Sequence, residues 1–486
     1  KPEEVLSNNL PQAINAHHKL FKRLEQRGAV AAFDAEIQDG VSRGVWRKAT
    51  AADLDYKGPV NYIVLTEAFK ESEGATTPVR VCLDASRKKN GASLNSILVP
   101  GPSRLANQLE ILLDFRAKRI AMCLDFSKFY QSVNVSPEDA HLLRVVWSAV
   151  PGGAPEVYVG QVNNFGLVPA GPVASIALNL TADMHESLNP EAAEIIRRKK
   201  YVDDIASGGR NIQHTVDIEN GIQQIASKGS FHLKPAIRSF DDVEPQKLLG
   251  VNWLVRTDKL SVKCDVNIHA KIKGARVAPD VDLDILDLPA EITRRIVWRV
   301  AMSPYDPYGL ISVIIIQLKL VMRLLATLSV SKDGWDQLVS DEASAEFTRA
   351  CKNLAGARKI EFARCVLPVK ITGNPQLVVF VDGSTRAMCA IVYIRWRIQE
   401  NVYQSFLVCS KCKVAPKTAT TVPRTELVSA QIGVRLAATV MKSMTDLIFE
   451  DNVYLTDSSA VMGMLRAESG SLNQFTGHSI AEVREA

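Results

Sequence analysis

At 486 residues the chain exceeds what one hydrophobic core accommodates, and its length points to about three domains. Its 47% hydrophobic and 23% charged residues exclude a disordered tail or a fibrous repeat, while a net charge of +5 permits a polyanionic partner without demanding one. Eight scattered cysteines and no signal-like N-terminus are expected of an intracellular chain with reduced thiols.

From Leu10 to about Val45, apolar residues such as Leu20, Phe21, Leu24 and Val30 recur at helical spacing. His17 and His18 sit side by side there; neighbours on a helix point in different directions, so both are expected at the surface. After Val60 the pattern becomes short apolar runs, Tyr62-Ile63-Val64-Leu65 and Val79-Arg80-Val81-Cys82-Leu83, which predict strands joined by a charged loop. The run Ile120 to Leu124 predicts a buried strand that delivers Asp125 at its end. A helix is expected from Ala174 to Leu188, then a basic stretch from Arg197 to Lys200. Two apolar flanks around Asp203-Asp204 predict a tight hairpin turning on those residues, since Asp tolerates turns.

Residues Pro279 to Pro289 are acidic and irregular, as in a hinge. Helical periodicity dominates from Ile292 to Leu328, broken by a turn from Pro304 to Gly309. The apolar stretch Leu310 to Val330 contains Gln317, Lys319 and Arg323, so it predicts a core helix and no membrane attachment. The last section reads strand (Leu377 to Val381), strand (Cys389 to Ile398), strand (Ser405 to Cys409), helix (Thr425 to Met444, with Pro423 before it), strand (Asn452 to Thr456), helix. Cys409 and Cys412 form a C-x-x-C, but no second Cys or His pair is near enough to complete a tetrahedral zinc site. Two thiols at a strand end is the expected reading.

Two acidic constellations lie in order along this framework: Asp125 with Asp203-Asp204, then Asp382, Glu426 and Asp457. In-line phosphoryl displacement uses two hard cations about 3.5–4 Å apart, and carboxylates are the natural ligands for Mg²⁺. A lone Asp-Asp pair is more often a solvated turn, because adjacent carboxylates repel unless cations neutralise them. Here Asp125 lies upstream at a strand end, and the Gly/Pro-rich segment Phe165 to Pro172 lies between. The order suggests one polypeptide that both builds and cuts nucleic acid strands.

At these residues the chain resembles reverse transcriptases, specifically those of BEL/Pao LTR retrotransposons. Asp125, Lys128 and Tyr130 resemble motif A, Phe165-Gly166 with Pro172 resembles motif B with one extra residue, and Tyr201 to Asp204 resembles the Y-x-D-D motif C. Thr293-Arg-Arg295, Tyr305-Asp-Pro-Tyr-Gly-Leu-Ile-Ser312 and the segment Val79 to Ser86 resemble signatures of the BEL/Pao group. Phe380 to Ser384, Arg424 to Leu427 and Leu455 to Ser458 are similar to the first three acidic motifs of ribonuclease H.

The resemblance implies an α+β multidomain chain: a right-hand reverse transcriptase followed by a C-terminally truncated ribonuclease H-like domain. Its expected parts are an N-terminal helical lead-in (1–58), fingers and palm (59–254), a mostly helical thumb/connection (255–370) and the ribonuclease H-like part (371–486). The implied activity is RNA-directed DNA polymerisation with Mg²⁺, two per active site, and Mn²⁺ as a substitute. Asp125, Asp203 and Asp204 would hold metal in one site and Asp382, Glu426 and Asp457 in the other. Arg80 would hold the triphosphate, with Phe165 and Gly166 in the pocket wall and Leu249-Gly250 as primer grip. Tyr130 would be a steric gate, or simple core packing; Lys234 would be the acid that protonates pyrophosphate, or a solvated lysine.

Implied partners are RNA template, DNA primer, RNA–DNA hybrid and dNTPs, in cytoplasmic virus-like particles. With no D-T/S-G and no H-H-C-C arrangement, protease and integrase, like capsid, are expected elsewhere in a longer polyprotein. The family's fourth ribonuclease H acid has no counterpart, so that activity is expected to be weak unless Glu482 or Glu485 replaces it. The alternative function is a non-catalytic nucleic-acid-binding relic.

Overall fold

The structure is a computed structural model describing residues 6, 8–69, 79–103, 105–266, 268, 281–283, 285–326, 332–417, 421–467 and 473–485. The chain forms two compact units: Lys1–Leu105 with Asp125–Asp203 and Ile218–Pro235, and Ala106–Leu124 with Asp204–Asp217 and Ala236–Ala486. One-turn helices are left unlabelled below.

The predicted opening helix is two, α1 (Leu10–Glu25) and α2 (Val30–Ser42). Gly28 breaks it: at φ +61° its N–H reaches the Glu25 carbonyl while Ala29 N–H reaches Leu24, the bonding of a glycine-terminated helix. Leu20 and Leu24 pack with Phe33, Ile37, Val79, Val81 and Trp147 in a continuous core. His17 is not at the surface as expected. It is buried edge-on to Trp147, ring centroids 5.3 Å apart, and burial, then the neighbouring His18, lowers its pKa to about 4. His18 is exposed.

Strand β1 (Trp46–Lys48) is followed by the antiparallel pair β2 (Val64–Phe69) and β3 (Val79–Asp84). Helix α3 (Gln108–Ala117) leads into β4 (Ile120–Ser127), which runs two residues past Asp125 because buried Phe126 continues the pairing. Strands β5 (Val145–Trp147) and β6 (Glu156–Gly160) complete a three-stranded sheet with β1. Helix α4 (Ala170–Met184) starts four residues before the expected Ala174, with Pro172 in the first turn where no intrahelical N–H is needed. After α5 (Pro190–Arg198) come β7 (Lys200–Tyr201) and β8 (Asp204–Gly209), then α6 (Ile212–Lys228), β9 (His232–Leu233) and β10 (Ile237–Arg238). The order in that sheet is β10-β4-β8-β7, with β9 also pairing with β4.

Strands β11 (Gln246–Leu248), β12 (Val251–Leu254) and β13 (Lys259–Val262) form an antiparallel sheet that β14 (Phe362–Ala363) later joins. Residues 279, 280 and 284 of the expected hinge lie outside the described residues. Helices α7 (Arg294–Ala301), α8 (Ser312–Leu325) and α9 (Asp341–Ala357) follow, with the predicted break before Ser312. Residues 327–330 of the apolar stretch are likewise outside the description, and among described residues no helix is long and apolar enough to cross a membrane. The last section is β15 (Gln376–Gly383), β16 (Ala387–Gln399), β17 (Val402–Val414), α10 (Val422–Ser443), β18 (Asn452–Leu455), α11 (Ser459–Arg466) and α12 (Gln474–Arg484). Its sheet order is β17-β16-β15-β18, with β18 parallel to β15.

The segment from Thr293 to Ser312 joins these parts of the second unit. Thr293 caps α7, buried Arg294 donates to the Leu325 carbonyl at the end of α8, and Arg295 grips Asp336 with two nitrogens. Asp306 accepts from Leu310 and Ile311 N–H and so fixes the turn that leads into α8. Tyr308 is buried and its hydroxyl donates to Leu112 in α3, while its carbonyl accepts from Ser410 N–H in β17. Tyr305 donates to Gln108.

Gly309 has φ +74°, and a Cβ there would lie 1.9 Å from the Ser410 carbonyl oxygen. Gly309→Ala therefore adds both backbone strain and a collision with a strand that cannot shift without losing its pairing. The expected cost is roughly 3 kcal/mol, read as a lower urea midpoint for the unit containing β17; an unchanged midpoint contradicts the close approach.

Candidate functional site

In the first constellation the hairpin turns one residue earlier than expected, on Val202-Asp203, and Asp204 opens β8. Val202 takes φ +57°, an outlier for a β-branched residue, and such strain clusters where geometry matters. The Phe126 N–H donates to the Asp203 carbonyl at 2.9 Å, which fixes the turn against the strand carrying Asp125. Burial first, and the Asp125 charge after it, push the Asp203 carboxyl up. Lys234 stands against Asp125: its ammonium lies 2.5 Å from the carboxylate, and its N–H donates to the Asp125 carbonyl.

Tyr130 is half-buried, and burial first, then the charge of Asp203, raise its hydroxyl pKa. Arg80 is exposed on β3. Phe165 is 38% exposed, and Gly166, at φ +90°, presses so closely on β3 that a Cβ would lie 2.4 Å from the Leu83 carbonyl oxygen. Leu249 and Gly250, both at positive φ, form the two-residue turn between β11 and β12. The close approach Gly250 allows is to the Tyr305 ring.

One residue here reads differently from the sequence. Lys200, the last of a basic run, is buried, with its ammonium on Ser175 and Asn179 of α4 and burial lowering its pKa to about 8. It ties α4 to the strand that enters the Val202-Asp203 turn.

The second constellation converges fully. β15 and β18 are in parallel register with Phe380 beside Leu455, so Asp382 and Asp457, each two residues on, come level. Glu426 arrives from the first turns of α10, and the three carboxylates bring oxygens within 4.8 Å of one another. Gly383 makes this possible: a Cβ there would lie 2.5 Å from the Glu426 nitrogen, so only glycine lets α10 approach. Its N–H donates to Glu426 at 3.1 Å, and the Ser429 hydroxyl, one helical turn later, donates to the Asp382 carbonyl.

Burial, then the charges of Asp382 and Asp457, raise the Glu426 pKa. An oxygen-only set of mutually repelling carboxylates fits a hard divalent cation. Glu482 does not join them: it pairs with Arg435 and Gln431 of α10. Glu485 is exposed and outside the cluster.

Residues 293–458 match the family described as Pao retrotransposon-like RNaseH-like domain. The chain shares its fold with foamy viral protease–reverse transcriptase structures. One, in complex with double-stranded DNA and designated dRH, is 13% identical with a TM-score of 0.57, covering 94% of this chain and 68% of that one. A second dsDNA complex has 13% identity and a TM-score of 0.54 over 93% and 80%. A complex with RNA/DNA hybrid has 14% identity and a TM-score of 0.51, covering 91% of this chain but only 50% of the viral protein. No curated protein matches the sequence.

A raised carboxyl pKa means that ionising Glu426 works against the fold: its contribution is present in acid and lost as pH rises through the raised value. At neutral pH Asp457→Asn should therefore raise the metal-free melting temperature by about 2 °C and remove most of the stabilisation Mg²⁺ gives at this cluster. The difference from wild type should shrink toward about pH 4, where carboxylates protonate. Equal Mg²⁺ stabilisation of both forms would contradict a metal centre here.

Proposed function

We propose that the chain is an RNA-directed DNA polymerase with an attached ribonuclease H, built as fingers, palm and a helical thumb/connection ahead of the ribonuclease H-like part. The observation that carries this reading is the pinning of the Asp203 turn against the strand of Asp125, in a fold shared with proteins solved on double-stranded DNA and RNA/DNA hybrid. Asp125 and Asp203, with Asp204 assisting, hold two Mg²⁺, which supply activation of a primer 3′-oxygen and charge stabilisation at the dNTP α-phosphate.

The chain's own residues do the positioning. Arg80 offers a guanidinium fork suited to a triphosphate, since paired donors match phosphate oxygens better than a point charge. Phe165 and Gly166 wall the nucleotide pocket, and Leu249-Gly250 grips the primer. Tyr130 fills the space a ribose 2′-hydroxyl would need. Lys234, already against Asp125, delivers a proton to pyrophosphate. In the second site Asp382, Glu426 and Asp457 would hold metal for a slow cleavage of the RNA strand of a hybrid, since neither Glu482 nor Glu485 joins them as a fourth acid. Template and primer bind through phosphates, so affinity is sequence-independent and weakens with salt.

Asp203→Asn keeps the size but removes one ligand charge. Primer extension on an RNA template should fall about 10³-fold or more while template–primer binding persists; extension at the wild-type rate would end the polymerase reading. Tyr130→Val should raise rNTP relative to dNTP incorporation by at least about tenfold, since the exclusion is steric. An unchanged ratio would return Tyr130 to a packing role.

A further inference from the structure

Of the two C-x-x-C thiols, read from sequence as lying at a strand end, only Cys412 meets another cysteine. Cys409 is fully buried beside Val408, whereas Cys412 faces across the sheet to Cys389, its direct partner in the β16–β17 register. Directly opposed residues on antiparallel strands share a face, and these two sulfurs lie 2.9 Å apart. Both thiols are partly accessible. Cys389 is in turn the direct partner of Asp382 in the β15–β16 register, so carboxylate, thiol and thiol form one row across three strands. From the other side the Ser312 hydroxyl at the start of α8 contacts Cys412 at 3.2 Å.

We propose that Cys389 and Cys412 are a reversible dithiol–disulfide site whose oxidation displaces Asp382 and slows the nuclease centre. The second half of this rests on the ribonuclease H reading; the first does not. The oxidant is a low-molecular-weight disulfide such as glutathione disulfide. The Cys412 thiolate attacks one of its sulfurs, forming a mixed disulfide and releasing one glutathione thiolate. The Cys389 thiolate then attacks the Cys412 sulfur and releases the second. The protein pair loses two electrons and two protons, and two glutathione thiols are formed.

Supporting this order of attack, the Cys412 pKa falls to about 7, through Cys389 first and then Ser312 and the charge of Lys319. A thiolate fraction near neutrality is what exchange requires. Closing the bond draws the sulfurs together by about 1 Å. Rates at metal-assisted centres fall about 10²-fold for a misplacement of that size, and Asp382 is the next group in the row.

The test treats the reduced chain with glutathione disulfide and maps peptides without reduction. The expected result is a cross-link joining the peptides of Cys389 and Cys412, absent from Cys389→Ser and from Cys412→Ser, and reversed by dithiothreitol. Glutathione mixed disulfides without that cross-link would overturn the site itself. In parallel, cleavage of the RNA strand of a hybrid should drop at least about tenfold on oxidation and recover on reduction. The Cys389→Ser/Cys412→Ser double variant should cleave like the reduced wild type and ignore the oxidant. If the cross-link forms but cleavage is unaffected, the coupling to Asp382 is wrong. If the reduced chain does not cleave at all, the ribonuclease H reading fails while the cross-link result stands on its own.

Discussion

Two buried guanidiniums hold the second unit together. Arg364 is fully buried; it grips both oxygens of Asp258 and donates to the carbonyls of Phe115, Lys118 and Arg119, where α3 ends. Arg116, also buried, has no carboxylate: its donors go to the carbonyls of Ala363, Arg364 and Val408, with the Tyr308 ring 5.3 Å away. Arginine cannot shed its proton to escape burial, so each charge demands every one of these acceptors at once. Helix α3 packs against β8, the strand that Asp204 opens, and Val408 belongs to β17, two strands from Asp382. Asp204 and the sheet that carries Asp382 therefore both hang on geometry that the same cations enforce.

Charge is handled in opposite ways at the two constellations. Around Asp125 the protein supplies its own counter-charge in Lys234, so part of the repulsion is relieved before any metal arrives. Around Glu426 there is none within the trio, and the carboxylates are forced together by β15–β18 register and the close approach of α10 to Gly383. The cluster of Asp382, Glu426 and Asp457 thus keeps more repulsion for a cation to relieve.

Strand-end acids were legible because they interrupt short apolar runs, and the order of β15 to α11 follows from those runs alone. The glycines at 309 and 383 were visible as letters, but their reason is a neighbour far along the chain. Lys200 is in sequence only the last residue of a basic stretch; its burial needs α4 to supply Ser175 and Asn179 as acceptors. His17 fails for the same reason: helix spacing gives a face, but only Trp147 decides that the face is covered. The turn slipped by one residue because Asp is the better turn former by local preference, yet the fold places Val202 at the strained position and leaves Asp204 to start the strand. For Cys412 the sequence offers only its neighbour Cys409, whereas strand register selects a partner 23 residues back.

The Arg116–Val408 bond also sets a clock. Its partners are separated by 292 residues, and the unit they close is assembled from three separate segments, Ala106–Leu124, Asp204–Asp217 and Ala236–Ala486. At about 5–20 residues per second, a ribosome needs about 15–60 s to make the stretch between them. During that interval α3 exists without the acceptors its guanidinium requires, so it cannot settle into its mature core. Long-range closure of this kind slows folding. A nascent chain stalled anywhere before residue 408 would expose this unfinished surface to chaperones or to aggregation, whatever the state of its first unit.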